Sequence, residues 1–250
     1  MNKKLTSLTG VALLAAAGTA NADVIPLVDV DVSVNSWKAA VSGDVRSGDD
    51  PQDLENDLGF DSYQQLGWQL RVAHPVPVLP NVRVRFTEFD ETENGQASSS
   101  FRGVDFTNRD VRTTLDLSNF DYTLYYTAPL PVVGLDIGLN VKHFNGEVEI
   151  QDRNDESRRE RVNLNEYLPM IHAHGRVDLP LTGLRAGAEV NHVSYDGDSL
   201  SDVELYLGYS YDLFYGQVGY RDFRVDVEAS DDLEIDGEIN GPFARIGVEF

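Results

Sequence analysis

His172 and His174 stand two residues apart in an alternating stretch, so on a strand both rings share one face, with Arg176 next along it. Two imidazoles at that spacing can begin a metal site, which needs a third ligand, or supply a general base, which needs a carboxylate to orient it. The spacing identifies neither. His143 and His192 lie near the ends of their own alternating segments, and Ser194, Asp196, Asp198 and Ser199 follow or surround the second. No nucleophile, base and orienting group stand out as a set. No catalytic residue, metal or cofactor is therefore assigned, and the histidine pair reads as hydrated or hydrogen-bonded groups in a polar interior.

The elements that hold these residues have a period of two, the mark of strands facing two environments. Val28 to Val34 alternate with Asp29, Asp31, Ser33 and Asn35; Leu66, Trp68, Leu70 and Val72 alternate with Gln65, Gln69 and Arg71. Val82, Val84 and Phe86 oppose Arg83 and Arg85, and Leu135, Ile137, Leu139 and Val141 oppose Asp136 and Lys142. Further segments carry Arg185 and Glu189, Asp202 and Glu204, and Arg221 on their polar faces. A segment from Leu115 to Tyr126 changes parity near Ser118 and Asn119, which predicts a bulge there. Pro169 cannot donate a ladder hydrogen bond, which predicts a bulge or bend in the strand of the two histidines.

Ten such segments can be counted, with eight as the alternative number. Brief links follow the even-numbered segments, for example His74 to Asn81, Pro129 to Pro131 and Asp212-Leu213. Polar loops of roughly residues 44–62, 91–110 and 151–161 follow the first three odd-numbered ones. Alternating short and long connections are the pattern of an outer-membrane barrel. The outer links near Asp196 to Leu200 and Ala229 to Asp232 are short, which predicts a low side to the mouth. Lys3 and Lys4, an apolar run from Leu5 to Ala17, and Ala20-Asn21-Ala22 have the form of a cleavable secretion signal. The last segment ends on Val248 and Phe250, read as an insertion signal. The expected organisation is residues 1–22 as signal peptide and 23–250 as an all-β, closed, antiparallel, up-and-down transmembrane barrel in the outer membrane. Aromatic belts are expected from Tyr125, Tyr126, Tyr209, Tyr211, Phe214, Tyr215 and Phe250 at one rim, and from Trp37, Phe60, Tyr63, Phe120, Phe144, Tyr195 and Phe223 at the other.

The chain carries a formal net charge of −22, and removing residues 1–22 takes away two lysines and no acid. That balance argues against nucleic acid as a partner, since phosphate binding draws on clustered Lys and Arg. There is no cysteine, which suits an oxidising compartment. The acidic loop around Asp49 to Asp61 lacks the glycine and glutamate spacing of a calcium loop. Arg153, Arg158, Arg159 and Arg161 could grip lipid A phosphates or pair with neighbouring carboxylates, and both readings stand.

Several segments together resemble a family of small outer-membrane β-barrel proteins of Gram-negative bacteria with unassigned function. They are the Pro-rich turn His74 to Asn81, Leu124-Tyr125-Tyr126, Leu179 to Leu184, Gly219-Tyr220-Arg221, and Gly241-Pro242-Phe243 ahead of Phe250. Arg245 departs from the glycine usual at that place. The resemblance implies a barrel and carries over no catalytic residue. The expected partners are outer-membrane lipids, lipopolysaccharide and the barrel-assembly machinery during insertion.

The inward set, Asp29, Asp31, Arg71, Arg83, Arg85, Asp116, Asp136, Lys142, His172, His174, Arg176, Arg185, Glu189, Asp202, Glu204 and Arg221, would line the interior. Barrels of about eight strands are filled by side chains, whereas sixteen or more leave a channel. A ten-stranded barrel of this kind therefore reads as a narrow or gated passage for small polar solutes. The alternative is a structural or surface-binding barrel that displays acidic outer loops.

Overall fold

The computed structural model describes residues 28–46, 51–130, 133–230 and 233–250, so the expected signal peptide lies outside the described residues. Its strands are β1 (Asp29–Arg46), β2 (Pro51–Asp53), β3 (Ser62–Ala73), β4 (Asn81–Thr87), β5 (Asp90–Ala97), β6 (Ser100–Phe101), β7 (Val104–Asp105), β8 (Arg109–Asp116), β9 (Asn119–Pro129), β10 (Val133–Phe144), β11 (Gly146–Asp152), β12 (Arg159–Leu164), β13 (Tyr167–Asp178), β14 (Leu184–Tyr195), β15 (Asp198–Tyr211), β16 (Phe214–Ser230) and β17 (Leu233–Glu249). The main sheet runs β17-β16-β15-β14-β13-β10-β9-β4-β3-β1, and β1 pairs with β17 to close the ring. All ten of these strands are antiparallel to their neighbours, and they coincide with the ten alternating segments of the sequence.

Closure leaves no sheet edge inside the bilayer, where an unpaired backbone group would find no water. The outward face is a band of apolar side chains: Leu139 is 63 % exposed, Leu207 66 % and Ile246 62 %. The band ends at Ser36 and Lys38 on β1, Gln64 on β3, Asp222 on β16 and Asn240 on β17, above which the outward positions become polar or charged. Tyr126, Tyr209, Tyr211 and Phe214 lie exposed at the short-turn rim, as expected of a headgroup belt. Trp68, Phe86, Phe120 and Tyr122 make the opposing belt, with Phe86 and Phe120 ring centroids 4.8 Å apart.

Four expectations are corrected. The parity change at Ser118-Asn119 is a junction, because β8 leaves the barrel for a second sheet while β9 stays in the wall. At Pro169 the register with β10 continues unshifted through Val141, and pairing with β14 begins only at Ile171, so the missing amide falls where β13 has no second neighbour. The long outer loops are not irregular. Residues 90–116 and 146–164 supply a four-stranded sheet, β12-β11-β8-β5, above the barrel, with β6 and β7 as a small hairpin beside it. The side with short outer links is not low either: β16 and β17 have 17 residues each and rise well past the 9–11 needed to cross. Asp196 (φ 54) and Gly197 (φ 101) make the two-residue turn between β14 and β15, the left-handed pair a tight hairpin requires.

Candidate functional site: a lumen closed at two levels

On most barrel strands the inward positions change character with height. Low positions are charged or polar and the highest are apolar: Asp31, Ser33 and Asn35 give way to Trp37, Ala39 and Val41 on β1, and Gln217 and Arg221 give way to Phe223 on β16. This gradient divides the interior into a polar periplasmic half, a belt of ions and an apolar outer plug.

The ion belt is continuous. Arg85, 1 % exposed, contacts Glu189 at 2.6 Å and Glu204 at 2.5 Å and lies 3.4 Å from Asp121. Arg83 also grips Glu189. Lys142 reaches Asp121 at 2.9 Å and Asp202 at 3.0 Å, Arg221 holds Asp202 at 2.7 Å, and Arg245 holds Glu204 at 2.8 Å. Five cations and four carboxylates thus cross-link β4, β9, β10, β14, β15, β16 and β17. A buried charge persists only when paired and hydrogen-bonded, and here every carboxylate has at least two cationic neighbours. With Arg71, Arg176 and Arg185 and their partners Asp31, Asp136, Asp178 and Glu249 toward the rim, the interior holds eight cations against eight carboxylates.

Aromatic faces separate this belt from the plug. The Arg221 guanidinium lies 4.7 Å from the Trp37 ring, Arg245 lies 5.0 Å from Phe243, and Lys142 lies 5.5 Å from Phe223. Trp37 Nε1 donates to the Gly241 carbonyl. Beyond these rings Leu54, Leu58 and Phe60 from the first outer segment join Phe89, Phe101, Phe106, Val111, Phe144, Ile150 and Ile239 in one buried cluster. The outer sheet therefore has its own core, continuous with the top of the lumen.

Carboxylates cap the turns of this outer structure. The Asn56 amides onto Asp53, the Thr107 hydroxyl and then its backbone amide onto Asp105, and the Asn154 backbone amide onto Asp152 hold those carboxyls below the usual range. The arginines of residues 151–161 pair locally: Arg161 contacts Glu147 at 2.9 Å and Glu149 at 2.5 Å, Arg158 lies 3.7 Å from Asp152, and Arg159 lies 3.9 Å from Glu149.

Of the inward residues expected from sequence, Asp31, Arg71, Arg83, Arg85, Asp136, Lys142, His172, His174, Arg176, Arg185, Glu189, Asp202, Glu204 and Arg221 face the interior. Asp29 does not; it is exposed at the periplasmic rim, where β1 begins. Asp116 does not either, since β8 belongs to the outer sheet and pairs it with Asp90 and Glu147. His172 and His174 share a face but take separate partners. His172 Nδ1 meets the Asn191 amide oxygen at 2.8 Å, while His174 joins Asp136 at 3.0 Å and the Tyr206 hydroxyl at 2.8 Å. Among the described residues no cluster of His, Asp or Glu is arranged to hold a metal. Two members of the ion belt, Asp121 and Arg245, lie outside the inward set expected from sequence. The parity of Tyr122, Leu124 and Tyr126 was the signal for the first, and that of Ala244, Ile246 and Val248 for the second.

No protein-family model and no curated protein matches the chain. Solved structures do. The outer-membrane protease OmpT from Escherichia coli is similar with a TM-score of 0.55 and 10 % identity, over 89 % of this chain and 97 % of that one. The translocator domain of the autotransporter NalP from Neisseria meningitidis has a TM-score of 0.43 and 11 % identity over 98 % of both chains. A Pseudomonas aeruginosa FadL homologue has 0.40 and 8 %, over 90 % of each. At these identities the likeness is one of fold. The chain is an outer-membrane β-barrel, and its apolar band places it in that bilayer.

Proposed function

We propose that this protein is a closed barrel that anchors and displays a rigid acidic β-sheet at the outer surface. The observation that carries this reading is the double obstruction of the lumen, by the Arg85-centred ion belt and by the Phe60 and Phe89 plug above it. The charge distribution supports it. In segments 44–61, 88–118, 145–166, 194–200 and 222–240 the described residues include 27 Asp or Glu against nine Lys or Arg, whereas the interior is balanced. The displayed surface suits contact with lipopolysaccharide through bridging divalent cations, or with a basic partner. Val248 and Phe250 serve recognition by the barrel-assembly machinery.

The absence of native cysteine makes the test clean. Single replacements Arg153→Cys on the outer sheet and Thr123→Cys in the lumen are exposed on intact cells to a small membrane-impermeant maleimide. Labelling of the first alone is expected. Equal labelling of Thr123→Cys from outside would mean that solutes pass the plug.

A second reading, a gated passage for small polar solutes, draws on the periplasmic half of the lumen, where a cavity of about 50 Å³ reaches up to Arg83 and Glu189. It requires both obstructions to move.

A further inference from the structure

From the hydrogen-bond accounting of that periplasmic cavity, we infer that it is a binding site for a small oxyanion of the carboxylate or phosphate class, with Arg71 and Tyr125 as its principal donors. The inference does not depend on the display reading.

The acceptors on the cavity wall are largely spent. Asp136 takes Thr127 at 2.6 Å and His174 at 3.0 Å, one on each oxygen. Glu189 is engaged on both oxygens by Arg83, with Arg85 and Asn191 sharing one of them. Asp31 accepts from Tyr215 at 3.1 Å.

The donors are not spent. Tyr125 is 2 % exposed, and its hydroxyl has no hydrogen-bond partner among the described residues. The Nε groups of Arg83 and Arg245, on the same wall, have none either, and that of Arg185 has only the Asp178 carboxylate at 3.5 Å. The nearest carboxylate to the Arg71 guanidinium, Glu249, stands at 3.5 Å, beyond a good hydrogen bond. A buried donor left unmade is costly, and a wall with surplus N–H and O–H groups calls for an occupant that brings acceptors. The net charge of the wall does not decide the matter, because the local carboxylates are turned to their own partners. A ligand carboxylate or phosphate supplies several lone pairs in one compact group and takes charge-assisted bonds from guanidinium. The cavity of about 50 Å³ exceeds what one water needs and limits the ligand to a small anion or the anionic end of a longer molecule.

The full chain, folded in detergent, is titrated calorimetrically with inorganic phosphate and with succinate at constant ionic strength, chloride serving as the control. Saturable binding of at least one of the two is expected. Loss of one neutral donor in Tyr125→Phe should weaken it about three- to tenfold, and loss of the charge in Arg71→Gln by about tenfold or more. Without added anion, Tyr125→Phe should unfold at the same or a higher denaturant concentration than the parent, since it removes an unpaired hydroxyl. Heat-dependent mobility in SDS gels verifies that each variant is folded, and if Arg71→Gln fails that check Tyr125→Phe decides. No saturable heat with either anion overturns the inference. So does binding that both variants leave unchanged.

Discussion

Replacing Glu204 by Gln removes one charge from the centre of the barrel while keeping its shape. Glu204 is 3 % exposed and serves Arg85 at 2.5 Å and Arg245 at 2.8 Å, with Arg221 at 3.9 Å. The belt would then hold five cations against three carboxylates. Arg245 would be left with Gln217 at 3.2 Å as its remaining partner. Removing one side of a buried pair costs about 3–5 kcal/mol, because a desolvated charge is stranded. Arg85→Met is the informative contrast. It removes a residue that also has three charged partners but leaves four cations and four carboxylates, and each acid keeps a cation: Glu189 with Arg83, Glu204 with Arg245, Asp121 with Lys142, Asp202 with Arg221. Its loss should stay within the roughly 0.5–3 kcal/mol of ordinary substitutions. Urea unfolding of both variants in lipid vesicles measures the difference. If Arg85→Met proves as costly as Glu204→Gln, charge balance is not what holds the belt together, and the reasoning fails.

Other consequences are open to measurement. The carboxyls of Asp53, Asp105 and Asp152 are depressed by hydrogen-bond donors of their own turns, the Thr107 hydroxyl foremost at Asp105, so their contribution is present at neutral pH and is lost as pH falls below about 4 through their native values. Protease nicking of the outer sheet should increase at pH 3 relative to pH 6 while the barrel keeps its folded gel mobility. A Cβ at Gly187 would lie 2.4 Å from the Tyr206 ring, so Gly187→Val must displace that ring from His174 and should cost about 1–3 kcal/mol in the same unfolding assay. Deleting Phe250, whose amide and carbonyl pair with Val30, should lower the yield of heat-modifiable barrel in cells. Neither Arg85→Ala nor the pair Phe60→Ala and Phe89→Ala should alone admit ions, whereas all three together should.

The barrel was legible because its strands face lipid on one side and a polar interior on the other, and that contrast writes itself as alternation. Lys142 and Glu189 could be placed inward from parity alone. Their partners could not, because ion pairs such as Arg83 with Glu189 join residues 106 positions apart across the lumen. The plug was hidden for a different reason. Trp37, Phe144 and Phe223 sit on inward parity near the outer rim, where an aromatic also suits a headgroup belt. Height suggested the belt, and parity, the stronger constraint, puts them inside. The outer sheet was obscured by the charge and polarity of its loops, although Val111 with Thr113 and Val148 with Ile150 keep the period of two. Tyr125 and Tyr215 likewise suit a belt by their height, yet both are buried against the cavity.

Current across a planar bilayer containing the purified, folded protein tests the closed lumen most directly. Insertions verified by later protease release of the outer sheet should be electrically silent at moderate voltage and neutral pH. Stable, stepwise conductance from the unmodified chain under those conditions would contradict the account.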